Sequence, residues 1–92
     1  MKLIYKFHFN DGVDMSRVET QMIESFMTSV DIFGEPEMKL SATYLVAGQE
    51  AVLEVSRIAG LHTLLIFVGR LSRLIGVDRY SMNPMERSGV AV

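Results

Sequence analysis

The stretch KLIYKFHFNDGVDMSRVETQMIESFM, residues 2–27, changes its hydrophobic period once and thereby decides how the fold begins. In its first part, apolar and aromatic side chains occupy every second position, which is typical of a half-buried strand. After the turn residues NDG, apolar side chains recur at helical spacing. Two starts for this helix stay open: a capping box of Ser16 and Glu19, or Asp14 as the N-cap. The sequence therefore predicts a strand and then a long helix, which stops at Gly34.

The rest of the chain shows the same two periods again. EMKLSATYLV (37–46) and AVLEVSR (51–57) alternate as strands do, and the turn sequence AGQE between them predicts a hairpin. A second helix is predicted from residue 59 to 75 by its apolar spacing. DRYSMN (78–83) indicates a short last strand, which Pro84 closes.

The predicted element order, β-α-β-β-α-β, is that of the ferredoxin-like α+β sandwich. In that fold a four-stranded antiparallel sheet, with strand order 4-1-3-2, carries two helices on one face. We expect one such domain over residues 1–83, followed by a C-terminal tail over 84–92. The predicted core includes Phe7, Phe26, Leu53, Leu64 and Val68.

Composition narrows the class of protein. The 92 residues suffice for one domain, and 49% hydrophobic and 22% charged residues are ordinary for a globular chain. The absence of cysteine excludes disulfide scaffolds, thiolate zinc sites and thiol nucleophiles. A net charge of −2 does not favour general binding to nucleic acid. Lys6 and His8 interrupt the apolar run that a signal peptide would need, so we expect a cytoplasmic protein.

The most hydrophobic stretch is AGLHTLLIFVGRLSRLIG, residues 59–76. A membrane span needs ~20 mainly apolar residues, whereas Arg57 and Arg70 limit the uncharged run here to residues 58–69. We therefore predict a helix that lies on the sheet and does not enter a membrane. Its apolar arc covers about half of the helix circumference, more than the ~100° stripe that covering a sheet requires. The surplus predicts an oligomer interface, for which we select Leu61, Leu65, Phe67 and Leu74.

Few side chains suggest chemistry. His8 on the polar face of the first strand and Glu54 on the expected neighbouring strand are the candidate acid–base pair, although the sequence does not give their register. His8 and His62 fall on different elements, and no HxH or HxxxH motif accompanies them, so no metal site is predicted. The strand aromatics point into the core, so the stacking platform of sheet-based RNA readers is not expected. A candidate anion-binding group consists of Arg70, Arg73 and Arg79.

These patterns favour a non-enzymatic interaction module that acts as a homo-oligomer, most simply a dimer, without a cofactor. Two alternatives from other classes stay open. One is a sensor that binds a small molecule at a subunit interface, which rests on analogy with the predicted fold alone. The other is a small enzyme that uses His8 and Glu54 on the open sheet face. A ligand-sized cavity at a dimer interface would favour the sensor, and contact between the two side chains in a cleft would favour the enzyme.

Overall fold

A computed structural model describes residues 2–85, which form four strands and three α-helices. In chain order the elements are β1 (Leu3–Phe9), α1 (Met15–Phe33), α2 (Glu35–Ser41), β2 (Ala42–Ala47), β3 (Glu50–Val55), α3 (Ile58–Leu71) and β4 (Tyr80–Met85). A π-helical turn, Ser72–Gly76, and a 3-10 turn, Val77–Arg79, connect α3 to β4. The predicted tail lies partly in the sheet, because β4 includes Pro84 and Met85. Residues 86–92 of that tail lie outside the described residues.

The strands form one antiparallel sheet in the order β2-β3-β1-β4, with β1 in the interior. Phe7 lies opposite Ala51 of β3 on one side and Met82 of β4 on the other. The helix-facing side chains of β1 and β3 form the centre of the core, since Phe7, Leu53 and Phe67 of α3 are each 0% exposed. The fold is thus an α+β sandwich of a sheet and a helical layer.

The predicted ferredoxin-like sandwich with two helices is wrong, because the described chain has a third helix, α2, over residues predicted as a strand. Local chemistry explains the difference. Pro36 lies in the first turn of α2, where its missing N–H costs nothing, and acidic residues in that turn suit the helix N-terminus. Lys39 and Glu35 add an (i, i+4) pair at 3.9 Å. The strand phase placed Met38 and Leu40 on one face, whereas they are 3% and 61% exposed.

Helix α1 begins at Asp14, the second of the two predicted starts. The Asp14 carboxylate accepts hydrogen bonds from the Ser16 amide at 3.0 Å and from the Ser16 hydroxyl at 2.7 Å. These bonds, the side-chain one foremost, hold the pKa of Asp14 below its usual value. The helix ends at Gly34, whose φ of +89° favours glycine.

The core differs from prediction in the helices. Phe7 and Leu53 are fully buried and Leu64 is 7% exposed, but Phe26 and Val68 are only half-buried. Much of the buried side of α1 is instead polar, and it consists of Val18, Gln21, Met22, Ser25 and Ser29. The side of α1 that packs against α3 therefore carries small hydroxyl side chains.

Among residues 2–85, the helical stretch Ile58–Arg79 is long and apolar enough to cross a membrane by length and composition alone. Core helices of globular proteins meet the same two criteria. Here 33% of the most apolar window is buried inside the domain, and Phe67 and Leu71 are fully buried. The radius of gyration, 13.0 Å, matches the ~13 Å of a compact domain of about this length. The stretch is thus part of a compact globular fold.

Candidate functional site

The structure does not bring His8 and Glu54 together. The ladder register sets His8 of β1 opposite Glu50 of β3, whereas Glu54 lies opposite Ile4. His8 and Ile4 are roughly 13 Å apart along the strand. The nearest acid to His8 is Glu50, with 3.6 Å between Nδ1 and Oε2, and the His8 side chain is 60% exposed. A solvated contact of this kind forms no catalytic cleft, so the predicted acid–base pair is not present.

The helix-free face of the sheet is a set of exposed ion pairs. Lys6 Nζ lies 3.2 Å from Glu50 Oε2, and Lys2 Nζ lies 3.8 Å from Glu54 Oε1. Thr43 Oγ1 donates to Glu54 Oε1 at 3.3 Å across β2 and β3. Exposed pairs of this kind contribute about 0–1 kcal/mol to stability. These pairs therefore keep the helix-free face polar and add little to stability.

The residues that could bind a metal ion are dispersed. Within residues 2–85, histidine, aspartate and glutamate side chains form no cluster of three or more. His62 lies on α3, away from His8, and its ring meets Phe33 edge-on with ring centres 5.4 Å apart. In this described part of the chain, His62 Nδ1 is buried and has no hydrogen-bond partner. His62 thus packs against Phe33, which borders the hydrophobic core.

The three predicted anion-binding arginines have different environments. Arg70 is half-buried, and its Nη1 donates to Glu24 Oε1 at 2.8 Å and to Gln21 Oε1 at 3.0 Å. The Glu24 carboxylate compensates the charge of Arg70, so this guanidinium is not free for an anion. Its hydrogen bonds join α3 to α1. Arg73 and Arg79 are exposed. The structure therefore gives Arg70 a structural contact and leaves the other two on the surface.

The predicted α3 interface is exposed in part. Leu61, Leu65 and Leu74 are 40%, 70% and 44% exposed, but Phe67 is fully buried. Phe67 meets Phe7 edge-on with ring centres 5.1 Å apart, so assigning it to an interface is wrong. The spacing of apolar residues in the sequence could not show which part of this wide arc faces the sheet. Its sheet-facing and outward-facing parts are both apolar. We call the exposed side, formed by Ile58, Leu61 and Leu65, the α3 outer face.

A second apolar surface, not predicted from the sequence, lies where α1, α2 and β2 meet. A groove of about 440 Å³, the β2 groove, is lined there by Phe26, Val30, Glu35, Met38, Lys39, Ala42, Thr43 and Tyr44. The rings of Phe26 and Tyr44 form its centre, with ring centres 5.2 Å apart. Met27 of α1 is 63% exposed, and Leu45 of β2 is 64% exposed on the opposite, helix-free face of the sheet. This groove could not be predicted from the sequence, because the alternation of residues 37–41 predicts a strand where the structure has α2.

The β2 groove runs along an open edge of the sheet. Among the described residues no strand lies beyond β2, which carries neither a charged residue nor a proline. The other edge strand, β4, contains Pro84. Natural edge strands are usually protected against pairing by charges, prolines or bulges. By this criterion β2 is the unprotected edge of the sheet.

Comparison with known proteins adds no relative. The sequence matches no model of a protein family, and neither the curated proteins nor the solved structures gave a match.

Proposed function

We propose that this protein is a non-enzymatic interaction module of the cytoplasm that acts as a homodimer, with no nucleic-acid or membrane partner. The observation that carries the proposal is the apolar surface around the β2 groove. Ile23, Phe26, Met27 and Val30 lie on one side of α1 at (i, i+3, i+4, i+7) spacing. Of these, Phe26 and Val30 line the groove beside the uncharged strand β2. Contiguous apolar surface of this kind marks interaction sites.

A homodimer is the simplest assembly that covers such a surface, because one self-complementary patch serves both partners. A chain of this length buries only a little over ~60% of the surface that its unfolded form exposes. Additional burial between two copies therefore adds to a limited core. The contact should exceed about 1,000 Å² in total, the size that separates a specific interface from incidental contact.

Sedimentation equilibrium on the full chain tests the proposal. We expect a mass of twice the 10.3 kDa of one chain, with dissociation on dilution below micromolar concentration. A mass of one chain throughout the micromolar range would contradict the homodimer. Because the surface is apolar, moderate salt should not dissociate the dimer.

The size of the β2 groove supports a second candidate function, a sensor that binds a small apolar molecule. Its volume of about 440 Å³ lies within the ~300–1,000 Å³ of ligand pockets, and Glu35, Lys39 and Thr43 supply polar groups to a mainly apolar lining. Titration with the apolar dye anilinonaphthalene sulfonate tests this. The variant Val30→Trp should fill the groove and weaken dye binding, while Leu65→Trp on the α3 outer face should not. Equal binding by both variants would contradict a site in the groove.

A further inference from the structure

We propose that two copies join through antiparallel pairing of β2 with β2 of the second copy, around a twofold axis at Tyr44. This inference rests on the proposed homodimer and names its surface. The two four-stranded sheets would become one continuous sheet, and the β2 grooves of both copies would meet at the interface. The hydrogen-bonding pattern of β2, the side chains along it and the protection of the opposite edge support this arrangement.

The free backbone groups of β2 can be assigned. The Ser56 amide donates to the Ser41 carbonyl oxygen at 2.9 Å across β2 and β3. Because the groups of an antiparallel strand alternate in direction, the N–H and C=O of Tyr44 and Val46 point away from β3. The Ala42 carbonyl points the same way, while its N–H is already bonded to the Met38 oxygen. An open row of donors and acceptors is what strand addition requires.

A twofold axis at Tyr44 pairs these groups with their equivalents. Tyr44 of each copy would exchange N–H···O=C bonds with Tyr44 of the other, and each Val46 N–H would donate to the opposite Ala42 oxygen. The remaining cross-strand pair would be Thr43 with Leu45. No pair contains a charge, so the symmetry brings no like charges opposite each other, which would be destabilising.

The same arrangement covers the exposed apolar side chains. Tyr44 lies on the helix-facing side of β2, in contact with Phe26, so the two Tyr44 side chains would meet beside the two grooves. Phe26 and Val30 of α1 line the groove and would be covered together with it. Leu45 would be covered on the helix-free face by Thr43 of the partner.

The opposite edge of the sheet lacks this capacity. The alternation of the β1–β4 ladder turns the backbone groups of Met82 and Pro84 outward, and Pro84 has no N–H to donate. The α3 outer face offers apolar contact without backbone hydrogen bonds. Strand β2 alone among these surfaces combines apolar side chains with a free row of donors and acceptors.

Proline substitution tests the hydrogen bonds. Val46→Pro removes an outward N–H that, by the alternation of the strand, makes no bond among the described residues, and edge strands tolerate proline there. We expect the dimer dissociation constant, measured by sedimentation equilibrium, to rise about tenfold or more because the symmetry repeats the loss. Met82→Pro, the matched change on β4, and Leu65→Gln on the α3 outer face should leave it within about twofold. Circular dichroism checks that each variant is folded.

Charge substitutions at exposed side chains of β2 test the register of the pairing. They test it even if Val46→Pro fails to fold. Thr43→Lys with Leu45→Lys would place lysines opposite each other and weaken the dimer about tenfold or more. Thr43→Lys with Leu45→Glu would pair opposite charges and restore a dissociation constant near that of the unsubstituted chain. Equal constants for the two double variants would overturn the β2 pairing.

The outcomes separate the two proposals. If Leu65→Gln dissociates the dimer and the β2 variants do not, the homodimer stands and the β2 pairing is overturned in favour of the α3 outer face. If the unsubstituted chain is a monomer, both proposals fail. If the dimer responds to Val46→Pro and to the sign of charge at residue 45, both are supported.

Discussion

Helices α1 and α3 lie side by side on the same face of the sheet, yet they bury different kinds of side chain. Helix α3 buries large apolar residues, including Leu64, Phe67 and Leu71, as a core helix is expected to do. Helix α1 buries Ser25 and Ser29 at 0% exposure and leaves much of its apolar side in contact with solvent. The apolar stripe of a helix therefore includes more than the part buried in the core, and in α1 the other described residues cover it only in part.

Close approach of α1 and α3 explains the small side chains. The Thr63 hydroxyl of α3 donates to the Ala59 carbonyl at 2.8 Å and is hydrogen-bonded to Ser29 Oγ of α1 at 2.6 Å. The Ser25 hydroxyl donates to the Gln21 carbonyl at 2.7 Å. Each buried hydroxyl thus has a partner, so its burial is tolerated. Large side chains at these positions would force α1 away from α3. The apolar residues Phe26 and Val30 of α1 line the β2 groove instead.

The largest expected effect on stability comes from removing one aromatic ring from each helix and comparing the two losses. Phe67→Ala should lower the free energy of unfolding by about 3–5 kcal/mol, because the ring is fully buried against Phe7. Phe26→Ala should cost less, since the half-buried Phe26 faces the groove and leaves a smaller cavity. Urea denaturation at one low protein concentration measures both. Equal losses would mean that α1 and α3 contribute alike to the core and would remove the contrast between them.

A second prediction compares two glycines of α3. A Cβ at Gly60 would collide with the Ser41 carbonyl oxygen and lie 2.9 Å from Val55 Cβ. Gly60→Ala should therefore cost about 1–3 kcal/mol through overpacking. At Gly69 the nearest atom is a flexible Arg73 nitrogen at 3.8 Å, so Gly69→Ala should stabilise the helix by about 0.5–1 kcal/mol. Thermal denaturation of the two variants should shift in opposite directions, and a neutral Gly60→Ala would show that the close approach is absent.

A third prediction concerns the hydroxyl contact between the helices. Ser29→Ala should cost about 0.5–1.5 kcal/mol, because Thr63 keeps its bond to the Ala59 oxygen and is not left unpaired. The control Thr20→Ala removes an exposed hydroxyl on α1 and should stay within about 0.5 kcal/mol. Combining Ser29→Ala with Thr63→Val in a double-mutant cycle isolates the contact. A coupling energy near zero would leave shape alone as the reason for the small residues.

Most strands and helices could be predicted from the sequence, but the contacts that each of them makes could be predicted less well. Alternation in β1 correctly placed Phe7 in the core, because a strand has only two faces. The helices were less predictable, since the wide arc of α3 did not show that Phe67 faces inward. Residues 37–41 alternate by chance, which predicted a strand, although Pro36 just before them is a favourable helix start. The pairing of His8 with Glu50 depends on register, which no local pattern of residues contains.

The starts of the two helices differ as well, and this gives the smallest expected effect. Asp14 caps α1 through Ser16, whereas Arg57 precedes α3 without a side-chain cap. Asp14→Ala should lower the melting temperature at pH 7, because it leaves the first-turn N–H groups of α1 to solvent. The effect should be modest, since the bonds are exposed.

The pH dependence of that effect identifies the charged cap. Folding lowers the pKa of Asp14, so its stabilising contribution is complete above the unfolded value near ~3.9 and is lost as pH falls through the folded value. The difference in melting temperature between Asp14→Ala and the unsubstituted chain should therefore shrink under acid. Asp14→Asn retains an acceptor that does not titrate, so its difference from Asp14→Ala should persist at low pH. A deficit of Asp14→Ala that is the same at pH 7 and under acid would show that the carboxylate charge does not contribute to the start of α1.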